Sequence, residues 1–225
     1  MTADLKSTIT ANLLQIDTEI KKMCKHVGRE KSKARLIAAS KVQPKENVVA
    51  ALEAGHKVFG ENRVQEAQER WSDLKQNYEG IELHLIGGLQ TNKAAEAVAL
   101  FDVIQSVDRP KLARFLAREM KAQNRHLPLY LQINTGAEEQ KGGCMVADLP
   151  ALLDVCAELE LEVQGLMCIP PADDDPSLHF SLLKKLAKHH KLERLSMGMS
   201  SDYALAASMG ATDIRVGTAV FGARE

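Results

Sequence analysis

Aromatic residues make up only 4% of this 225-residue chain, with a single tryptophan. No stripe interleaves basic with aromatic residues, so the sequence offers no base-stacking surface for nucleic acid. Excess charge of either sign is also missing: 29 basic and 30 acidic side chains leave a formal net charge of −1. That balance gives no electrostatic reason to expect nucleic acid or an acidic membrane as a partner. No apolar run approaches the roughly 18–20 residues that cross a bilayer. The opening MTADLKSTIT has neither the apolar core nor the small-residue cleavage site of a signal peptide. A cytoplasmic protein is expected. The four cysteines, Cys24, Cys144, Cys156 and Cys168, form no CxxC pair and have no histidine at zinc-ligand spacing. Reduced, mostly buried thiols are expected rather than a metal site. A Gly-rich dinucleotide turn is absent after the first strand-like run, which argues against a doubly wound open sheet.

What is present is regular alternation. Leu5, Ile9, Leu13, Ile16, Ile20 and Met23 recur at helical spacing and predict an N-terminal helix. A basic stretch, Lys31 to Arg35, leads into the first strand, Leu36–Ser40. Further strands are predicted at 57–60, 82–86, 102–107, 129–133, 163–169, 194–197 and 213–220. Helices are predicted between them at 46–54, 63–75, 93–100, 110–123, 149–159, 176–190 and 202–209. Asp173–Asp175 is expected to be a solvated loop or a helix start. Eight βα units in 225 residues predict an α/β fold, a single (β/α)8 TIM barrel spanning 1–225 with an extra N-terminal helix.

Barrel sites form where strands meet their following loops. Lys41 ends the first apolar strand, where desolvation would favour a neutral, nucleophilic amine suited to Schiff-base chemistry. A lysine whose stem lies on the strand while its amine reaches water is the competing reading. Ser200, Gly217 and Thr218 follow the seventh and eighth strands, where barrels often build phosphate sites. Ser200 or Ser201 could instead cap the helix at 202–209. Arg215 lies between Ile214 and Val216 inside an apolar strand. Such a guanidinium needs an acceptor, either an acidic residue such as Asp213 or a ligand heteroatom.

The ordered set LIAASKVQP (36–44), VFGENRVQEA (58–67), HLIGGLQTNK (84–93), IQSVDRPKLA (104–113), LQINTGAEEQKGG (131–143), GLMCIPP (165–171), LSMGMSSDYALA (195–206) and RVGTAVFGAR (215–224) runs through nearly the full chain. On these segments the sequence resembles the YggS/PROSC family of proteins that bind pyridoxal 5′-phosphate (PLP) and maintain its homeostasis. The resemblance implies a barrel similar to the alanine racemase N-terminal domain. It implies Lys41 as the Schiff-base lysine, Asn62 near the cofactor ring, Arg215 facing the pyridine nitrogen, and Ser200, Gly217 and Thr218 on the phosphate. Two positions depart from the family pattern: Gly88 stands for a more usual Pro and Cys168 for a more usual Ala. Neither is among the implied cofactor contacts.

The same resemblance implies a non-catalytic carrier, holding PLP and passing it to apo forms of PLP-dependent enzymes. An arginine at the pyridine nitrogen opposes protonation there and weakens the ring as an electron sink. The chain also ends directly after the predicted eighth strand, where alanine racemases continue into a β-rich domain. The alternatives are a low-activity amino-acid racemase, with His84 or Tyr203 as base, and an aldolase-like barrel that uses Lys41 on a sugar phosphate. A monomer is expected.

Overall fold

The computed structural model describes residues 2–29 and 34–222. Residues 31–33 of the basic stretch, and Ala223 and Arg224 of the last matching segment, lie outside the described residues. In chain order the elements are α1 (Thr2–His26), β1 (Arg35–Ala39), α2 (Lys45–Glu53), β2 (Val58–Glu61), α3 (Val64–Asn77) and β3 (Glu82–Leu85). They continue with α4 (Ala94–Leu100), β4 (Val103–Val107), α5 (Pro110–Ala122), β5 (Leu129–Asn134), β6 (Cys144–Met145) and α6 (Leu149–Glu158). The last are β7 (Val163–Cys168), α7 (Pro176–His189), β8 (Arg194–Ser196), α8 (Tyr203–Met209), β9 (Asp213–Val216) and α9 (Thr218–Phe221).

Eight of these strands close into a ring in the order β1-β2-β3-β4-β5-β7-β8-β9, with β9 pairing back to β1 and every pairing parallel. The two-residue β6 pairs with the end of β5 outside that ring. Sequence patterning assigns no element to this stretch between the fifth strand and the helix at 149–159. The expected (β/α)8 barrel with an added N-terminal helix is therefore the observed fold.

Strand side chains alternate in direction, so each strand of a closed barrel serves two compartments. Outward residues such as Ala38, Leu83, Ile104, Leu131, Leu166 and Ile214 pack under the helices in the main apolar core. The inward set is different: its apolar part includes a separate small cluster of Val103, Tyr130 and Met167. Arg35, Glu82, His84, Gln105, Ser196, Asp213 and Arg215 alternate with the outward residues and form a polar lumen. Helix α1 buries Ile9, Ile16, Ile20 and Cys24 and packs across α2, α8 and α9, covering the seam where the first and last units meet.

One expectation is corrected and two open alternatives are resolved. The eighth barrel strand ends at Val216, not at residue 220, and Thr218–Phe221 turns into a short helix. A short apolar run reads alike as buried strand or buried helix; here Gly217, with ψ of −77°, breaks the extended path. Consequently the strand is not the last described element. Neither Ser200 nor Ser201 caps α8, because the capping position is Asp202, whose carboxylate accepts the Met199 N–H at 2.5 Å. Of the acidic run, Asp175 does start a helix, accepting the Ser177 N–H at 2.9 Å.

Candidate functional site

A cavity of about 500 Å³ opens at the strand-end face of the barrel, and its wall contains Lys41, Asn62, Ser200, Arg215, Gly217 and Thr218. All six residues singled out from the sequence thus meet in one place. Ligand pockets of barrels occupy this face because loops there vary while the strands stay fixed.

Lys41 follows β1 on a turn that is held from below. Arg70 on α3 donates to the carbonyls of Ser40 at 3.1 Å and Gln43 at 2.8 Å, one on each side of the turn. The guanidinium is balanced by Glu61, fully buried at the end of β2, at 2.5 Å. The same carboxylate oxygen accepts from Ser40 Oγ at 2.7 Å and from Trp71 Nε1 at 2.9 Å. Val42, the residue after the lysine, takes φ of +60°. A β-branched residue in the left-handed region is strained and persists only where its surroundings impose it. The Arg70 clamp supplies that imposition.

Asn62 follows β2, and the loop after β3 is packed directly against it. A Cβ on Gly87 would lie 2.3 Å from the Asn62 carbonyl oxygen, so only glycine permits that approach. On the other side of the mouth, Ser200 Oγ accepts the Ala219 N–H at 3.4 Å, joining the loop after β8 to the first turn of α9. First-turn N–H groups of a helix have no acceptor within the helix. Val220 and Phe221 donate back to the Gly217 carbonyl and Ala219 to Ser200, so the donor-rich corner is made of the Ser200 and Thr218 hydroxyls and the N–H at the start of α9. Gly217 keeps this corner close to β1: a Cβ there would press on the Ala39 carbonyl at 3.2 Å.

Arg215 is 4% exposed and projects from β9 into the lumen below the cavity. Its acceptors are Ser196 Oγ at 2.6 Å and the Cys168 carbonyl at 2.8 Å. Asp213 is not its hydrogen-bonding partner; it is taken by Arg35, Tyr130 and Thr212. Burial pushes the Arg215 pKa down, opposed by Cys168 and the more distant Asp202 and Asp213. The Cys168 thiol beside it is raised to about 12, by burial first. That makes it a neutral packing group rather than a nucleophile. All four cysteines are free and buried.

The two residues considered as bases are engaged elsewhere. His84 is fully buried, with its ring nitrogens 2.7 Å from Glu82 and 2.7 Å from Gln105. Tyr203 bonds Glu19 of α1, and burial followed by that contact raises its phenol to about 12. Neither lines the cavity. The sequence reading missed Gln132, which lines the cavity and donates to the Gly142 carbonyl at 3.1 Å. Its signal was available as the inward position two residues after Tyr130 on the fifth strand. Among the described residues, no cluster of metal-ligand type is present and no helix is long and apolar enough to cross a membrane.

The alanine racemase N-terminal domain family matches residues 8–225. The pyridoxal phosphate homeostasis protein of Pseudomonas aeruginosa is 38% identical over 228 residues, covering 97% of each chain. PipY of Synechococcus elongatus, solved with PLP bound, superposes with a TM-score of 0.78 at 36% identity, over 91% of this chain and 100% of that one. An alanine racemase of Clostridium difficile, at 12% identity and TM-score 0.73 over 97% of this chain and 57% of its own, shares the fold. Fold and pocket therefore define a barrel of the alanine racemase N-terminal domain class. Within that class the chain belongs to the family of the pyridoxal phosphate homeostasis proteins.

Proposed function

We propose that this protein holds PLP reversibly as a Schiff base on Lys41, and so keeps free reactive aldehyde low and available to other proteins. The observation that carries the reading is the convergence of a lysine, a buried arginine and a donor-rich corner on one cavity. Homologues named for PLP homeostasis and a PLP-bound relative of the same fold support it.

The residues present fit the group. A cavity of about 500 Å³ suits a cofactor of this size. Ser200, Thr218 and the turn at Gly217 supply donors for a phosphate. Asn62 sits beside the space for a ring. Arg215 presents a cation that lacks a carboxylate hydrogen-bond partner among the described residues. Lys41 would hold PLP by its amine, and PLP would supply the aldehyde for a condensation that releases one water and that water reverses. The Arg70 clamp fixes the direction of Lys41 and so favours reformation of the bond over release.

Two features favour holding over catalysis. Arg215 would set a cation near the pyridine nitrogen, which would oppose its protonation and weaken the electron sink that carbanion chemistry requires. His84 and Tyr203 are both committed outside the cavity. Purified protein mixed with PLP should develop a Schiff-base absorption band that Lys41→Ala abolishes. A wild-type protein with no band would refute binding. Rapid, stereospecific exchange of amino-acid Cα protons into deuterium oxide would refute the non-catalytic part.

A further inference from the structure

The hydrogen bonds inside the barrel form one continuous chain. Arg215 donates to Ser196 Oγ at 2.6 Å; Ser196 donates to Gln105 Oε1 at 2.5 Å. Gln105 Nε2 meets His84 Nδ1 at 2.7 Å, and His84 Nε2 meets Glu82 at 2.7 Å. The chain runs from β9 through β8, crosses the lumen to β4 three strands round the ring, and continues to β3.

Its direction follows from the Gln105 amide, which turns Oε1 toward Ser196 and Nε2 toward His84. A guanidinium can only donate. Ser196 Oγ must therefore accept from Arg215, and its one proton goes to Gln105. The Gln105 carbonyl is then occupied and its amide N–H faces His84. Nδ1 of His84 must accept, which leaves its N–H on Nε2, aimed at Glu82. Glu82 can only accept, and its carboxyl is held down to about 2, first by the His84 hydrogen bond, with burial opposing and Arg35 adding to it. With the amide so oriented, every link from Arg215 to Glu82 has one donor and one acceptor. Hydrogen bonds in such ordered chains reinforce one another.

We propose that Gln105 and Ser196 are positioning residues: through this one-way chain they set the orientation of Arg215 toward the ring nitrogen of bound PLP. The inference rests on the PLP reading above. Gln105 does not line the cavity, so any effect it has on the ligand must pass through its neighbours. Methionine at 105 would match its volume while removing both links. Ser196 would lose its acceptor, and Arg215 would be free to turn toward other carbonyls.

The test is a double-mutant cycle on PLP affinity, titrated by the Schiff-base band, with the pH profile of that band as a second readout. Gln105→Met should weaken PLP about tenfold, the scale of one lost buried hydrogen bond, and shift the pH profile. In an Arg215→Met background the same substitution should change affinity by less than about twofold and leave the profile unmoved. Equal weakening in both backgrounds, or none in either, would overturn the proposal. If Gln105→Met does not fold, Ser196→Ala carries the same cycle with the same expectations. A wild-type protein that gives no band with PLP would instead overturn the binding reading, which separates the two failures.

Discussion

Arg35 and Arg215 enter the same lumen from paired strands and meet opposite treatment. Arg35 lies opposite Asp213 in the β1–β9 register, and Arg215 lies opposite Ile37, one inward step nearer the mouth. Arg35 bonds two carboxylates, Asp213 at 2.5 Å and Glu82 at 2.8 Å. Burial opposes its charge, but Asp213 and then Glu82 outweigh burial and leave its pKa raised. Arg215 is more deeply buried and, among the described residues, bonds a hydroxyl and a backbone carbonyl, so burial prevails and its pKa is lowered. The first cation is neutralised within the barrel and belongs to the fold. The second is supported but not neutralised, and it is the cation that the proposed PLP site would use.

The sharpest way to break the contrast is to remove the shared carboxylate. Asp213→Ala strips partners from Arg35, Tyr130 and Thr212 at once. It should cost roughly 3–5 kcal/mol of stability, the range for a buried pair that loses one member, as measured by urea unfolding. A loss below about 1 kcal/mol would mean that the base of the lumen is not structural. Arg215→Met should show the reverse pattern: PLP retention falls at least about tenfold, equivalent to about 1.4 kcal/mol, while the unfolding midpoint hardly moves. Isolated buried charges add little net stability over apolar replacements. A large stability loss with normal PLP retention would erase the distinction.

Acid should act on the lower site first. Glu82 is held below its ordinary 4.5, at about 2, so its contribution is complete above 4.5 and lost as pH falls toward 2. Its side chain is 35% exposed, so the contribution is screened and modest. Unfolding free energy measured against pH should fall through this window in wild type and less steeply in Glu82→Gln. Parallel profiles would contradict the assignment. The smallest effect is expected at Ser200→Ala, a two- to fivefold loss of PLP affinity with stability within about 0.5 kcal/mol, as for surface changes generally.

The outward half of the barrel was legible in the sequence, because apolar alternation under helices follows from burial alone. Strand and helix positions such as 129–133 and 110–123 came within a residue or two of those observed. The cavity residues were legible too, since barrel topology sends each strand end to one face. The inward network was not. Gln105 inside IQSV and Ser196 inside LSM are polar residues in apolar strands, but their partners are set by distance round the ring, which sequence spacing does not encode. The acceptors of Arg215 were hidden for the same reason. So was the α9 turn, where a short apolar run has no period to distinguish helix from strand.

The central claim is that Lys41 is the residue that captures the cofactor. Borohydride reduction of the PLP-loaded protein, followed by peptide mapping by mass, tests it directly. The account predicts one dominant adduct of reduced PLP mass on the peptide carrying Lys41, lost in Lys41→Ala. An adduct spread over surface lysines, or one that persists elsewhere in the barrel at equal yield without Lys41, would contradict it.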